Sequence, residues 1–145
     1  MPQLAIVRFS HLEQTERHVT RLEKVFKLIG KEPEGKKCEA MEGLIKEAKS
    51  IISETKADTM TRDAALIIAA QKVEHYEIAT YGGLVQLAIT MGLTRAADLL
   101  DNTLREEGDT DHKLTQIAEA HINIDAEEEK ANYSWNKKET EMANY

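Results

Sequence analysis

The chain has 145 residues, a formal net charge of −7 and 31% charged residues. That length suits one domain with a real core. The acidic balance argues against a binder of nucleic-acid phosphates, because the densest basic run, Lys24, Lys27, Lys31, Lys36 and Lys37, is diluted by Glu23, Glu32 and Glu34.

Cys38 is the single cysteine, so an internal disulfide is excluded and cysteine-held zinc is disfavoured. No apolar run reaches the ~20 residues of a membrane span, and the amino terminus lacks a secretory pattern. A cytoplasmic, membrane-free protein is expected. Two prolines, seven glycines and the absence of an alternating strand pattern point to an all-α fold.

From Pro2 to about Gly30 the spacing predicts a helix with an apolar stripe of Leu12, Val19, Leu22, Phe26 and Ile29. Glu16 falls within that stripe, and Glu13 sits one turn earlier beside it. Residues 31–37, with Pro33 and Gly35, form a loop, and about Cys38 to Glu54 reads as a shorter amphipathic helix. After a polar turn from Lys56 to Thr61, a long helix runs from about Arg62 to Met91, with Asp63 complementing its amino-terminal dipole. Gly92-Leu93-Thr94 supplies a left-handed stop and an N-cap, and a further helix runs from Arg95 to about Ile122. One helical domain over residues 1–125 and a flexible polar tail over 126–145, with Tyr133, Trp135 and Tyr145, are expected.

The last two helices form a hairpin whose seams carry acids. Leu66, Ala70, Val73, Glu77, Thr80, Leu84, Leu87 and Met91 recur in steps of four and three. So do Ala97, Leu100, Leu104, Glu107, Asp111, Leu114, Ala118 and His121. At ~1.5 Å per residue, Glu77 and the Glu107/Asp111 pair lie about equally far, ~24 Å, from the turn. Burying carboxylates at one height costs several kcal/mol each unless something neutralises them. Shared protons, a cationic partner helix and bound metal are the three remedies, and metal is the sharpest. Glu74 reads as a residue behind the ligands or in solvent, and His75 points away from Glu77. Tyr76 reads as core, and Asp109 and His112 fall off the inner face. His11 and His121 read as structural, whereas His18 becomes a ligand if its helix rotates.

The stretches HLEQTERHV from His11, GKKCEAMEGLI from Gly35 and RDAALIIAAQKVEHYEIATYG from Arg62, with Glu106, Glu107, Asp111, Lys113 and Leu114, closely resemble the bacterial YciE/YciF family. The resemblance covers about residues 3 to 120. It implies a ferritin-like bundle of two helical hairpins joined by a crossover with a short helix, and an association with stress. Here that leaves three long helices and the crossover helix, because the family's usual first helix, which carries its own glutamate, has no counterpart in this chain.

Carried over, the resemblance implies Glu13, Glu16, Glu77, Glu107 and Asp111 as ligands of a di-iron or di-manganese centre. If the protein is catalytic, it would be an oxidoreductase acting on dioxygen, peroxide or Fe(II). The open side implies a homodimer or another helical partner. The alternative is a metal-free stress or interaction protein that uses that groove to bind a partner helix or to self-associate.

Overall fold

The computed structural model describes residues 2–129, with side chains from residue 11 onward. Its helices are α1 (Pro2–Leu28), α2 (Glu39–Glu54), α3 (Met60–Thr90) and α4 (Thr94–Ile117), followed by a π-helical turn, Ala118–Ile122. No strand occurs among the described residues.

The helix ends follow local chemistry. Thr59 caps α3, its hydroxyl accepting from the Arg62 amide at 3.2 Å, so this helix starts two residues before the expected Arg62. Cys38 caps α2, its sulfur accepting from the Met41 amide. Gly92, at φ +71°, makes the left-handed exit from α3 that only glycine adopts without strain. Thr94 is the first residue of α4 rather than its cap, and Leu93 precedes it without a side-chain cap. The helix path also continues through residues 123–129, so the expected tail boundary at 126 cuts a helical segment. Residues 130–145 lie outside the described residues.

The antiparallel α3–α4 hairpin is the spine. α1 packs on the other flank of α4, and α2 packs on α3. Among the described residues the backbones of α1 and α3 do not approach each other closely, and their side chains meet at His11 with Glu74 and at His18 with Tyr81, so α4 is the main link between the long helices.

The core has two apolar ends. Tyr81, Val85 and Ala88 meet Ala96, Ala97 and Leu100 near the α3–α4 turn, with Leu22 and Val25 of α1 against them. Ile67, Leu114 and Ile122 form the far cluster. Ile122, and not the expected His121, fills the last inward place and is 1% exposed.

Between the two clusters the interior turns polar. His18, Glu74, Thr103, Glu107 and Thr110 are all buried there. Glu74 keeps the seven-residue step of Ile67, Tyr81 and Ala88, and Glu107 keeps that of Leu100 and Leu114. Both acids therefore occupy positions that an aliphatic side chain would normally fill.

The inner faces differ from the expected stripes by a rotation. On α1, His11, His18, Arg21, Leu22 and Val25 turn toward α4, and Leu12 and Val19 are 58% and 54% exposed. On α3 the row Ile67–Glu74–Tyr81–Ala88 is buried, while Leu84, Leu87 and Met91 are exposed. Both displaced stripes keep their helical period. They lie on the flanks that α4 leaves uncovered.

Candidate metal centre

Three helices supply the polar layer. α1 contributes His11 and His18, α3 contributes Glu74, and α4 contributes Glu107. One donor atom each from His11, Glu74 and Glu107 can be chosen so that all lie within 4.8 Å of one another. Glu74 and Glu107 are 2% and 1% exposed. Glu74 Oε2 and both oxygens of Glu107 are buried without a hydrogen-bond partner. Leaving such acceptors unsatisfied is costly, and more so when they carry charge.

Protons offer one remedy. Burial, then the close approach of the Glu107 carboxyl and the charges of Glu77 and Asp111, pushes the Glu74 carboxyl far up. Burial and the charge of Glu77 also push Glu107 up. The two carboxyls thus share a proton at neutral pH.

A cation offers the other remedy, and the histidines are set for it. Thr110 Oγ1 donates to the Glu106 carbonyl at 2.9 Å, so it meets His11 Nδ1, 3.4 Å away, as an acceptor. The proton then sits on Nδ1, and the lone pair of His11 Nε2 faces Glu74 Oε1 at 3.3 Å. A histidine whose outer N–H is anchored and whose other nitrogen faces a carboxylate is the usual arrangement behind a metal ligand. Burial, followed by the proximity of His18, lowers the His11 pKa and favours the neutral ring.

Around this set, Arg21 grips Glu106 with two hydrogen bonds of 2.7 and 2.8 Å. That contact holds the Glu106 carboxyl down at about 2. Tyr81 presents its ring to His18 edge-on, with centroids 6.4 Å apart.

The five sequence-predicted ligands separate. Glu107 is central. Glu77 is half-buried one turn from Glu74, and burial raises its pKa. Asp111 is also half-buried, accepts from Gln71 Nε2 at 3.1 Å and stands 3.3 Å from His75 Nε2. Glu13 and Glu16 are exposed and are not brought to the layer, because the rotation of α1 presents His11 and His18 to α4 instead. Asp109 and His112 are exposed, as expected. Tyr76, expected in the core, lies at the surface with its hydroxyl 3.2 Å from Cys38 Sγ.

His11 and Glu74 are the residues that sequence reasoning undervalued. The available signal was the seven-residue step, which joins His11 to His18 and Glu74 to Ile67 and Tyr81.

Three long helices, a short crossover helix and a buried carboxylate–imidazole layer at mid-length define a ferritin-like helical domain. The family described as a domain of unknown function, DUF892, matches residues 2–127, and the chain belongs to that family. It is 49% identical to Protein YciF of Escherichia coli strain K12 over 119 residues, which cover 81% of this chain and 71% of that protein. The crystal structure of the E. coli stress protein YciF superposes with a TM-score of 0.77 at 47% identity, covering 83% of this chain and 76% of that one. YcfI from Rhodopseudomonas palustris gives a TM-score of 0.74 at 43% identity, over 77% of this chain and 71% of its own.

Proposed function

We propose that this chain is a YciF-like stress protein of the cytoplasm that binds divalent iron or manganese in its mid-bundle layer. The observation carrying this reading is the convergence of buried donors: His11 Nε2 with its lone pair inward, and Glu74 and Glu107 with three unpartnered oxygens. Mixed carboxylate and imidazole ligation suits iron and manganese.

In this reading His11, Glu74 and Glu107 hold the ion, and Thr110 fixes the His11 ring. Glu77 and Asp111 add negative charge beside the ligands, which favours a cation. A bound iron or manganese ion supplies Lewis-acid and one-electron redox chemistry toward dioxygen or peroxide. The paired-ion centre implied by the family resemblance requires a further set of donors around Glu107.

Anaerobic calorimetry with Fe(II) and Mn(II) tests the reading. Wild-type protein binds either ion at a stoichiometry of at least one per chain, and Glu107→Gln and His11→Ala lose that binding while keeping their helical circular dichroism. Wild-type protein that takes up neither ion overturns it.

A second reading, favoured by the exposure of Leu12, Val19, Leu84, Leu87 and Met91, is that the uncovered flanks of α1 and α3 receive a helix from a second copy or another protein. Light scattering across concentration tests self-association. A monomer at every concentration removes the homodimer.

A further inference from the structure

α2 is attached to the bundle differently from the other helices. None of its 16 residues is buried, and among the described residues its backbone approaches α3 alone. Its apolar stripe, Met41, Leu44, Ala48 and Ile51, is only half-buried. Ile45 and Ile52, 45% and 49% exposed, lie largely outside even that contact.

What α2 holds on α3 lies along one stripe. Arg62, Ala69 and Tyr76 follow one another at seven-residue steps, with Lys72 beside them. At ~100° per residue, that stripe is roughly opposite the row of Ile67, Glu74 and Tyr81 that faces the core. Ala69 is nonetheless 4% exposed, and α2 is the element that covers it.

Polar ties clasp α2 along the same stripe, and they are unequal. At its amino end, Cys38 Sγ is 3.2 Å from the Tyr76 hydroxyl. In the middle, Lys72 Nζ donates to Glu47 Oε2 at 2.8 Å, with side chains 45% and 50% exposed, and an ion pair so open to water contributes little. At the carboxyl end, Arg62 Nε donates to Thr55 Oγ1 at 2.9 Å, and Nη2 donates to the Ile52 carbonyl at 2.6 Å and to the Thr55 carbonyl. A charged donor there satisfies carbonyls that the end of a helix leaves open, which is the stronger kind of bond.

We infer that α2 is a hinged strap, a unit that lifts from α3 while α1, α3 and α4 stay packed, and that Arg62 is its clasp. The cohesion of the bundle does not pass through α2. Both apolar clusters draw on α1, α3, α4 and the π-helical turn, and the buried polar layer draws on α1, α3 and α4. The exposed loop of residues 31–37 and the short turn between α2 and α3 are the hinges. Lifting bares Ala69 and the apolar stripe of α2 and leaves the polar layer closed. A segment with so little buried contact opens at lower cost than the core it rests on.

Native-state hydrogen exchange, read amide by amide by NMR on the full chain in chelator and low urea, tests this. Amides from Ile45 to Glu54 should exchange as one group, at least about 100-fold faster than those of α4 after correction for intrinsic rates, and with little dependence on urea. Arg62→Ala should speed that group by a further ~10-fold or more, the equivalent of one lost charged hydrogen bond, and leave α4 unchanged. Lys72→Met should change it by less than about 3-fold. Should Arg62→Ala fail to fold by circular dichroism, Thr55→Val, which removes the hydroxyl that accepts from Arg62 Nε, takes its place and should speed the same group alone. Exchange of α2 with the rate and urea dependence of α4 overturns the strap. A fast group that these substitutions leave unmoved overturns the clasp.

Discussion

Replacing Glu107 by leucine should make the metal-free protein more stable while abolishing its capacity for metal. Glu107 is in step with Leu100 and Leu114, so a leucine there continues an apolar row through the polar layer. The magnitude follows from the proton equilibrium. Burial and the charge of Glu77 raise this carboxyl from 4.5 to about 7. At ~1.4 kcal/mol per pH unit, the fold loses about 3 kcal/mol as pH climbs through that interval.

The sign is that of a raised carboxyl, whose stabilising contribution is complete below the unfolded value and gone above the folded one. Glu74 shares the proton, so its own rise is not added. His11 and His18, whose pKa values are lowered mainly by burial, act in the opposite direction. Their contribution is complete above 6.5 and is lost as pH falls through the depressed values. Both histidines are present in either protein, so the variant-minus-wild-type difference reports the titration of the coupled Glu74–Glu107 pair.

Urea unfolding in chelator at pH 8 and pH 5 measures it. Glu107→Leu should exceed wild type at pH 8, and the gap should narrow by about 3 kcal/mol at pH 5. Adding Mn(II) at 100 times its dissociation constant should stabilise wild type by ~2.7 kcal/mol and leave the variant unmoved. A variant less stable than wild type at pH 8, or a gap indifferent to pH, would refute the reasoning.

Other expectations are independent of that one. Glu106, held at about 2 by Arg21, contributes stability above 4.5 that disappears as pH falls toward 2. Arg21→Ala should therefore flatten the acid limb of the stability profile, read by urea unfolding between pH 5 and 2.5. Glu129 accepts from the amides of Met60 and Thr61 at 2.8 and 3.0 Å. Glu129→Ala should speed hydrogen exchange at those two amides and leave the Glu74 and Glu107 amides unchanged. Leu87, 60% exposed on α3, should tolerate substitution by glutamate with less than about 0.5 kcal/mol lost if that flank faces water. If a second copy covers it, Leu87→Glu should shift light scattering toward monomer.

The helices, the hairpin and its left-handed turn were legible because periodicity and glycine placement are local properties. The existence of a polar layer was legible too, since Glu107 breaks an otherwise apolar row. Which helix face looks inward was harder to read. α3 carries two adjacent apolar rows, one through Glu77 and one through Glu74, because it meets α4 on one side and leaves another uncovered. Hydrophobicity alone cannot rank two such rows. On α1 the apolar stripe through Leu12 and Val19 outcompeted the mixed row through His11 and His18 in any sequence reading. That mixed row faces α4 because α4 offers it Thr103, Glu106, Glu107 and Thr110. Polar complementarity between partners is visible only once the partners are paired.

The π-helical turn at Ala118–Ile122 acts as a phase shifter. A wider turn accommodates one residue more than an α-helical turn would, and everything beyond it is rotated by about 100° relative to an uninterrupted helix. That offset puts Ile122 in the core where the α-helical count would have put His121, and it aims Glu129 at the start of α3. Deleting one residue between 118 and 122 would restore a regular helix. Because that deletion removes the extra residue the wide turn accommodates, the isoleucine would stay in the core and Glu129 would stay aimed at the start of α3, whereas regularising the turn at full length would swing His121 inward and release the amides of Met60 and Thr61.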